Sequence, residues 1–143
     1  MKAKLISEQE DKTYAIILDV GDEVKACLID FAREHHLADS HITAIGAFSH
    51  AVLAYFDWEI KGYVLIPIDE QVEVLTLTGD ITLSDGEPML HAHVVVGKRD
   101  GTAHGGHLME AHVRPTLEVI LVESPEHLRR TVDPKSGLAL INV

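Results

Sequence analysis

A single cysteine, Cys27, stands in a chain of 143 residues. A disulfide framework is therefore excluded, and a reducing cytoplasm is the expected setting. Cys27 falls in a helical pattern, where it reads as a small apolar filler. Long hydrophobic runs are missing too. The longest are of strand length, too short to cross a bilayer, so no membrane segment is expected. Residues Met1 to Glu8 hold no apolar core of the length a secretory signal needs. Basic residues are scarce: 12 Lys and Arg against 23 Asp and Glu give a formal net charge of −11. Affinity for a phosphate backbone comes from Lys and Arg. Lys98-Arg99 and Arg129-Arg130 are ordinary surface pairs, so nucleic acid is not an expected partner of this chain alone. No repeat, low-complexity tract or linker is visible. The length suits one domain, residues 1–143, with no room for a second core.

Histidine, by contrast, is plentiful, with ten copies. Two of them lie one residue apart in Met89-Leu90-His91-Ala92-His93-Val94-Val95-Val96-Gly97, a stretch that reads as a buried strand. Side chains alternate faces along a strand, so His91 and His93 project to the same side. Neutral imidazole is the commonest protein ligand for transition metals, and two on one face supply half of a tetrahedral site. A third candidate, His107, follows in Gly105-Gly106-His107-Leu108 across an expected hairpin.

Register decides whether the three meet. A two-residue Asp100-Gly101 loop would form a type I′ turn. Opposed position numbers would then sum to 201, setting His93 against Leu108 and turning His107 away; His104 would share the face of His91 and His93 instead. A three-residue loop, Arg99-Asp100-Gly101, with Gly101 in the left-handed region, makes the sum 200 and sets His93 directly opposite His107. Opposed Cβ atoms are roughly 5 Å apart, close enough to share one ion. A slip of one residue creates or abolishes the site. The three-residue loop is favoured, because it turns the Val94/Val96 face and Leu108 the same way. Without the third histidine, a His-x-His pair is more often an ordinary half-exposed polar stripe.

Elsewhere the pattern is mostly strand. Thr13–Leu18 reads as a first strand. Asp22 is placed to cap a helix running to Leu37, with Val24, Leu28, Phe31 and Ala32 on one face. His35 and His36 at its end suit the helix dipole. Two strands are expected at His41–Phe48 and Ala51–Phe56, with a corner at Ser49-His50. The small residues Ala44, Gly46, Ala47, Ala51 and Ala54 suit either tight core packing or close approach of another subunit. Asp57 to Pro67 is less regular, and Trp58 within it reads as a packing residue. Val72–Thr82 is a long β-branched strand. Val113–Glu123 is the last long strand, with Pro115 near its start. Ser124 to Arg130 is expected to form a single helical turn, before an apolar tail from Leu138 to Val143. The sum is an α+β domain, one principal helix on a mainly antiparallel sheet.

Glu73-Val74-Leu75-Thr76-Leu77-Thr78-Gly79-Asp80-Ile81, His91-Ala92-His93, Gly105-Gly106-His107-Leu108 and Thr116-Leu117-Glu118-Val119, in that order, resemble the plants-and-prokaryotes-conserved (PPC) domain, a domain of unknown function. Gly46-Ala47 and the Tyr55 region are similar to the same family. The resemblance covers nearly the whole chain and implies an α+β fold, assembly as a homotrimer, and a stand-alone prokaryotic type without assigned chemistry. It also implies a divalent metal on His91, His93 and His107. His104 falls on no motif of the family. In plants the domain follows a minor-groove-reading Arg-Gly-Arg-Pro core, which this sequence lacks.

Three functions are thus open. One is a non-catalytic, metal-binding homotrimer acting through protein or small-ligand contacts. Another is a metal-dependent hydrolase, since three His ligands leave a position for water; Glu110 and Glu87 are its nearest candidate bases in sequence. The last is a DNA-associated regulator, disfavoured by charge. Zinc suits three imidazoles, though nickel, copper and iron accept the same ligands. His50 and His112 at strand edges, the pair Arg114 and Glu118, and Glu73, which would need a partner such as Arg114 if buried, complete the set of notable polar residues.

Overall fold

The computed structural model describes residues 1–8, 12–124 and 129–142. Among them nine strands pair into one sheet: β1 (Lys2–Glu8), β2 (Lys12–Leu18), β3 (Asp39–Asp57), β4 (Gly62–Ile68), β5 (Val72–Ser84), β6 (Glu87–Gly97), β7 (Ala103–Glu123), β8 (Arg129–Val132) and β9 (Ala139–Asn142). One helix, α1 (Val24–Glu34), lies among them. The pairing is antiparallel except between β5 and β8, so the α+β, mainly antiparallel expectation holds. Among the described residues no helix is long and apolar enough to cross a membrane.

Two long strands organise the sheet. β3 and β7 pair along most of their lengths. The far edge of β3 carries β5 and then β4, while β6 joins β5 to the start of β7. β3, β5, β6 and β7 therefore close a circuit. Their buried residues, including Phe48, Leu53, Leu77, Val96, Leu108 and Leu117, form one core cluster with the buried face of α1. The apolar positions of α1, Val24, Leu28, Phe31 and Ala32, recur at helical spacing and are all buried.

Local chemistry moves the helix ends from their expected places. Glu23, not Asp22, is the N-cap, its carboxylate accepting from the backbone N–H of Lys25 at 3.1 Å and Ala26 at 2.7 Å. Asp22 instead accepts from the Asp19 N–H at 3.0 Å and closes the preceding turn. The helix stops at Glu34 rather than Leu37, because His36 adopts φ 54° and the Leu37 N–H turns back to the Ala32 carbonyl at 2.9 Å.

Other differences arise from long-range pairing. The expected corner at Ser49-His50 is continuous strand, because Phe48 pairs with Val113 and His50 with His112 through it. The irregular segment contains β4, which among the described residues pairs with β3 alone and so tolerates Pro67 on its free edge. Trp58 is 57% exposed and touches only the edge of Phe56 among aromatic rings, so it packs less than expected. β1 and β9 are strands that the pattern did not single out. Of the helical turn expected from Ser124 to Arg130, residues 125–128 lie outside the described residues, and Arg129 and Arg130 belong to β8. The β3–β7 register shifts on either side of Pro115, between Gly46↔Leu117 and Phe48↔Val113. There the Thr116 carbonyl comes so near Gly46 that a Cβ at position 46 would sit 2.3 Å from its oxygen. Only glycine fits that approach.

Candidate metal centre

The site begins with a turn. Between β6 and β7 the Lys98 N–H donates to the Thr102 carbonyl at 2.8 Å, and the Gly101 N–H to the Lys98 carbonyl at 2.9 Å. Gly101 takes φ 83°, and the Asp100 carboxylate accepts from the Thr102 N–H at 2.9 Å. This is the three-residue loop, Arg99-Asp100-Gly101, not the two-residue alternative. The register follows: Gly97 opposes Ala103, Val96 opposes His104, and His93 opposes His107. His104 therefore shares the face of buried Val96, away from the other three histidines.

Strand pairing extends this into two rows on the outer face. Thr43, Thr78, His93 and His107 stand side by side on β3, β5, β6 and β7. His41, Asp80 and His91 form the neighbouring row on β3, β5 and β6. β5 and β6 lie close here because Gly79 has no side chain; a Cβ there would meet the His91 carbonyl oxygen at 2.3 Å and the Ala92 Cα at 2.7 Å. His91, His93 and His107 each bring one ring nitrogen within 4.8 Å of the others. Their ring centroids are 5.2 to 5.5 Å apart.

Burial sets the protonation of two of these rings. The His107 ring stacks on Tyr63 with centroids 4.8 Å apart. Its pKa is pushed down to about 4, first by burial and then by its neighbours His91 and His93. The His107 Nδ1 is buried and has no hydrogen-bond partner among the described residues. His91 is also lowered, first by burial and then by the Arg130 charge, against the opposing pull of Asp80. Both rings are thus held neutral near pH 7, the form that ligates metals.

Arg130 is the residue that the sequence did not bring forward. Its side chain is 3% exposed and ion-paired to Asp80 Oδ1 at 2.6 Å. It also donates to Thr82 Oγ1 at 2.8 Å and the Ala139 carbonyl at 2.7 Å, and lies 3.2 Å from His91 Nδ1. A guanidinium only donates, so Nδ1 of His91 is the acceptor in that contact. His41 was likewise unforeseen; with Thr78, Gly79, Asp80, His91 and His93 it lines a cavity of about 290 Å³. Cross-strand pairing to Asp80 is the signal that places it, and that pairing is invisible without the β3–β5 register.

The remaining candidates lie elsewhere. Glu87 is ion-paired to Arg33 at 3.2 Å, and Glu110 lies 3.1 Å from His112 Nε2. Arg114 and Glu73 are exposed, so Glu73 needs no buried partner. Glu118 lines a separate cavity of about 560 Å³ with Ile45, Glu73 and Leu75, not the histidine pocket. Cys27 is half-buried, and burial raises its thiol pKa, as fits an inert filler.

Comparison with known proteins agrees with this architecture. The chain belongs to the Plants and Prokaryotes Conserved (PCC) domain family, whose model matches residues 6–125. This is the PPC domain that its motifs resemble. A structure from Archaeoglobus fulgidus, described as a metal-containing protein, is 35% identical, with 98% of this chain and 99% of that chain covered and a TM-score of 0.87. A PPC protein from Pyrococcus horikoshii is 32% identical, with 99% and 95% covered and a TM-score of 0.87. A Ralstonia eutropha protein whose name provisionally assigns it DNA binding is 29% identical, with 91% and 90% covered and a TM-score of 0.85. No curated protein matches the chain.

Proposed function

We propose that this PPC-domain protein binds a divalent cation, zinc foremost, on His91, His93 and His107. It acts as a homotrimer through protein or small-ligand contacts, without catalysis. The observation that carries the reading is the buried, unpartnered Nδ1 of His107 within a set of three converging imidazoles. Buried polar atoms without partners are rare, and a bound cation would supply the partner this cluster lacks. Zinc at about 2.0–2.1 Å from each nitrogen sets tetrahedral ligands about 3.3 Å apart. The present separations, within 4.8 Å, need only modest ring rotations to reach that. The Archaeoglobus protein, described as metal-containing, adds support.

A bound zinc ion would leave one position open and could acidify water there. The side chains around it favour a non-catalytic role. Glu87 is engaged by Arg33, Glu110 lies beside His112, and Asp80 is held by Arg130. None stands free as a general base beside the three rings. Asp80, 3.8 Å from His91 Nδ1, is turned to Arg130, which also donates to that nitrogen. The trimer reading is supported by exposed Ile45, Leu75 and Ile120 on the strands around Gly46 and Ala47. DNA binding, suggested by the name of the Ralstonia protein, fits poorly with a net charge of −11.

Elemental analysis of purified protein beside a His91→Ala/His93→Ala variant tests the site. The variant is expected to hold one ion fewer per chain, and equal metal content in the two would overturn the proposal. Sedimentation analysis tests the trimer separately, and a monomer at micromolar concentration would remove it.

A further inference from the structure

We infer that the chain carries a second divalent-cation site, formed by His50, Glu110 and His112, distinct from the three-histidine cluster. Each of these residues brings one ligand atom within 4.8 Å of the others. His50 on β3 and His112 on β7 are directly opposed, and their rings stack with centroids 4.5 Å apart and planes 16° from parallel. Glu110 and His112 are two apart on one strand and so share a face. Two imidazoles and a carboxylate form a donor set that holds zinc in many catalytic sites with a position left open.

Ser49 bears on which nitrogen of His50 is available. Its hydroxyl donates to the His112 carbonyl at 3.3 Å and lies 2.9 Å from His50 Nδ1. In the tautomer with its proton on Nδ1, His50 donates to the Ser49 oxygen and Nε2 presents a bare lone pair. Ligating histidines in metal sites are oriented by just such a bond to the other ring nitrogen. On the other strand, His112 Nε2 and Glu110 Oε1 are 3.1 Å apart, bridged by a proton. Tetrahedral ligands around zinc stand about 3.3 Å apart. A cation can thus replace that proton with little movement, the imidazole proton passing to Nδ1. The backbone beneath is held on both sides, since His112 pairs with His50 of β3 and bridges to Glu23. Imidazole donors select zinc, nickel or copper over magnesium and calcium.

The experiment is a Zn(II) titration of the chelator-stripped full chain, read by calorimetry and by metal content after dialysis. Four proteins are compared: wild type, His50→Ala/His112→Ala, His91→Ala/His93→Ala, and the combination. Wild type is expected to take up two equivalents per chain, each pair variant one, and the combination none. Circular dichroism checks that each is folded, and Glu110→Gln serves where a double variant is not; it should lose or weaken the same equivalent. Retention of the second equivalent in both His50→Ala/His112→Ala and Glu110→Gln would overturn the inference. So would a wild-type chain that binds one equivalent, lost in His91→Ala/His93→Ala. A single equivalent lost only in His50→Ala/His112→Ala would instead leave this site standing and overturn the three-histidine proposal.

Discussion

His93 on β6 lies directly opposite His107 on β7, and the three-residue turn at Arg99-Asp100-Gly101 puts it there. A chain with Ala103 deleted keeps the turn but moves every later β7 side chain by one place, setting His107 against Val94 on the other face of β6. Zinc uptake at His91, His93 and His107 should be lost, while circular dichroism still reports a β-rich fold. Unchanged uptake would mean that the register does not assemble the site.

Gly101 carries a gentler version of the same test. Its φ of 83° is strained for any residue with a Cβ, although among the described residues nothing beyond its chain neighbours lies within 4 Å of where one would be placed. Gly101→Val should therefore cost about 1–2 kcal/mol through backbone strain alone. Urea unfolding measures it, and a cost near zero would show that the turn conformation is not required.

Gly79 is constrained by space instead. A Cβ there meets backbone atoms of His91 and Ala92, which cannot yield without separating β5 from β6. Gly79→Ala is expected to destabilise by about 1–3 kcal/mol or more and to weaken zinc binding by displacing His91. Full stability together with full metal affinity would contradict the packing described.

Arg130 ties β8 to β5 through Asp80 and Thr82. Arg130→Ala removes a buried guanidinium and leaves its partners unmatched. Because Asp80 remains 27% exposed and can rehydrate, the expected loss is about 2–3 kcal/mol, below that for a fully buried pair. Thermal or urea unfolding of the metal-free protein reads this, and a change within experimental scatter would refute it.

Acidification should destabilise the metal-free protein. His107 titrates at about 4 when folded, against an ordinary value near 6.5. The unfolded chain then binds more protons between those values, so stability rises with pH from about 4 to 6.5 and is lost as pH falls through that window. His91 is lowered too and acts in the same direction. Partial exposure to water screens the effect, leaving about 1–2 kcal/mol from His107. His107→Phe should flatten the slope, and an unchanged pH profile in that variant would rule the cause out.

Much of this architecture was legible in residue order. Alternation placed His91 and His93 on one face, and the Asp-Gly pair before Thr102 announced a tight turn. The apolar spacing of Val24, Leu28, Phe31 and Ala32 gave the helix, although its cap moved by one residue to Glu23. The break expected at Ser49-His50 did not occur, because turn preference there is weak and pairing with β7 outweighs it. Arg129-Arg130 looked like a surface pair, yet Arg130 is buried. Nothing local marks an arginine whose partners lie 39 and 50 positions away.

Residue order alone determined a β6–β7 hairpin with His91 and His93 on one face, because strand alternation and turn chemistry act over a few neighbouring residues; it left two registers open for His107. Tertiary structure decided which further groups stand beside them. Asp80, His41 and Arg130 reach the histidines through the β5–β6, β3–β5 and β5–β8 pairings, and His50 meets His112 through β3 and β7. Those pairings follow from burying one common core, a property of the whole chain rather than of any segment within it.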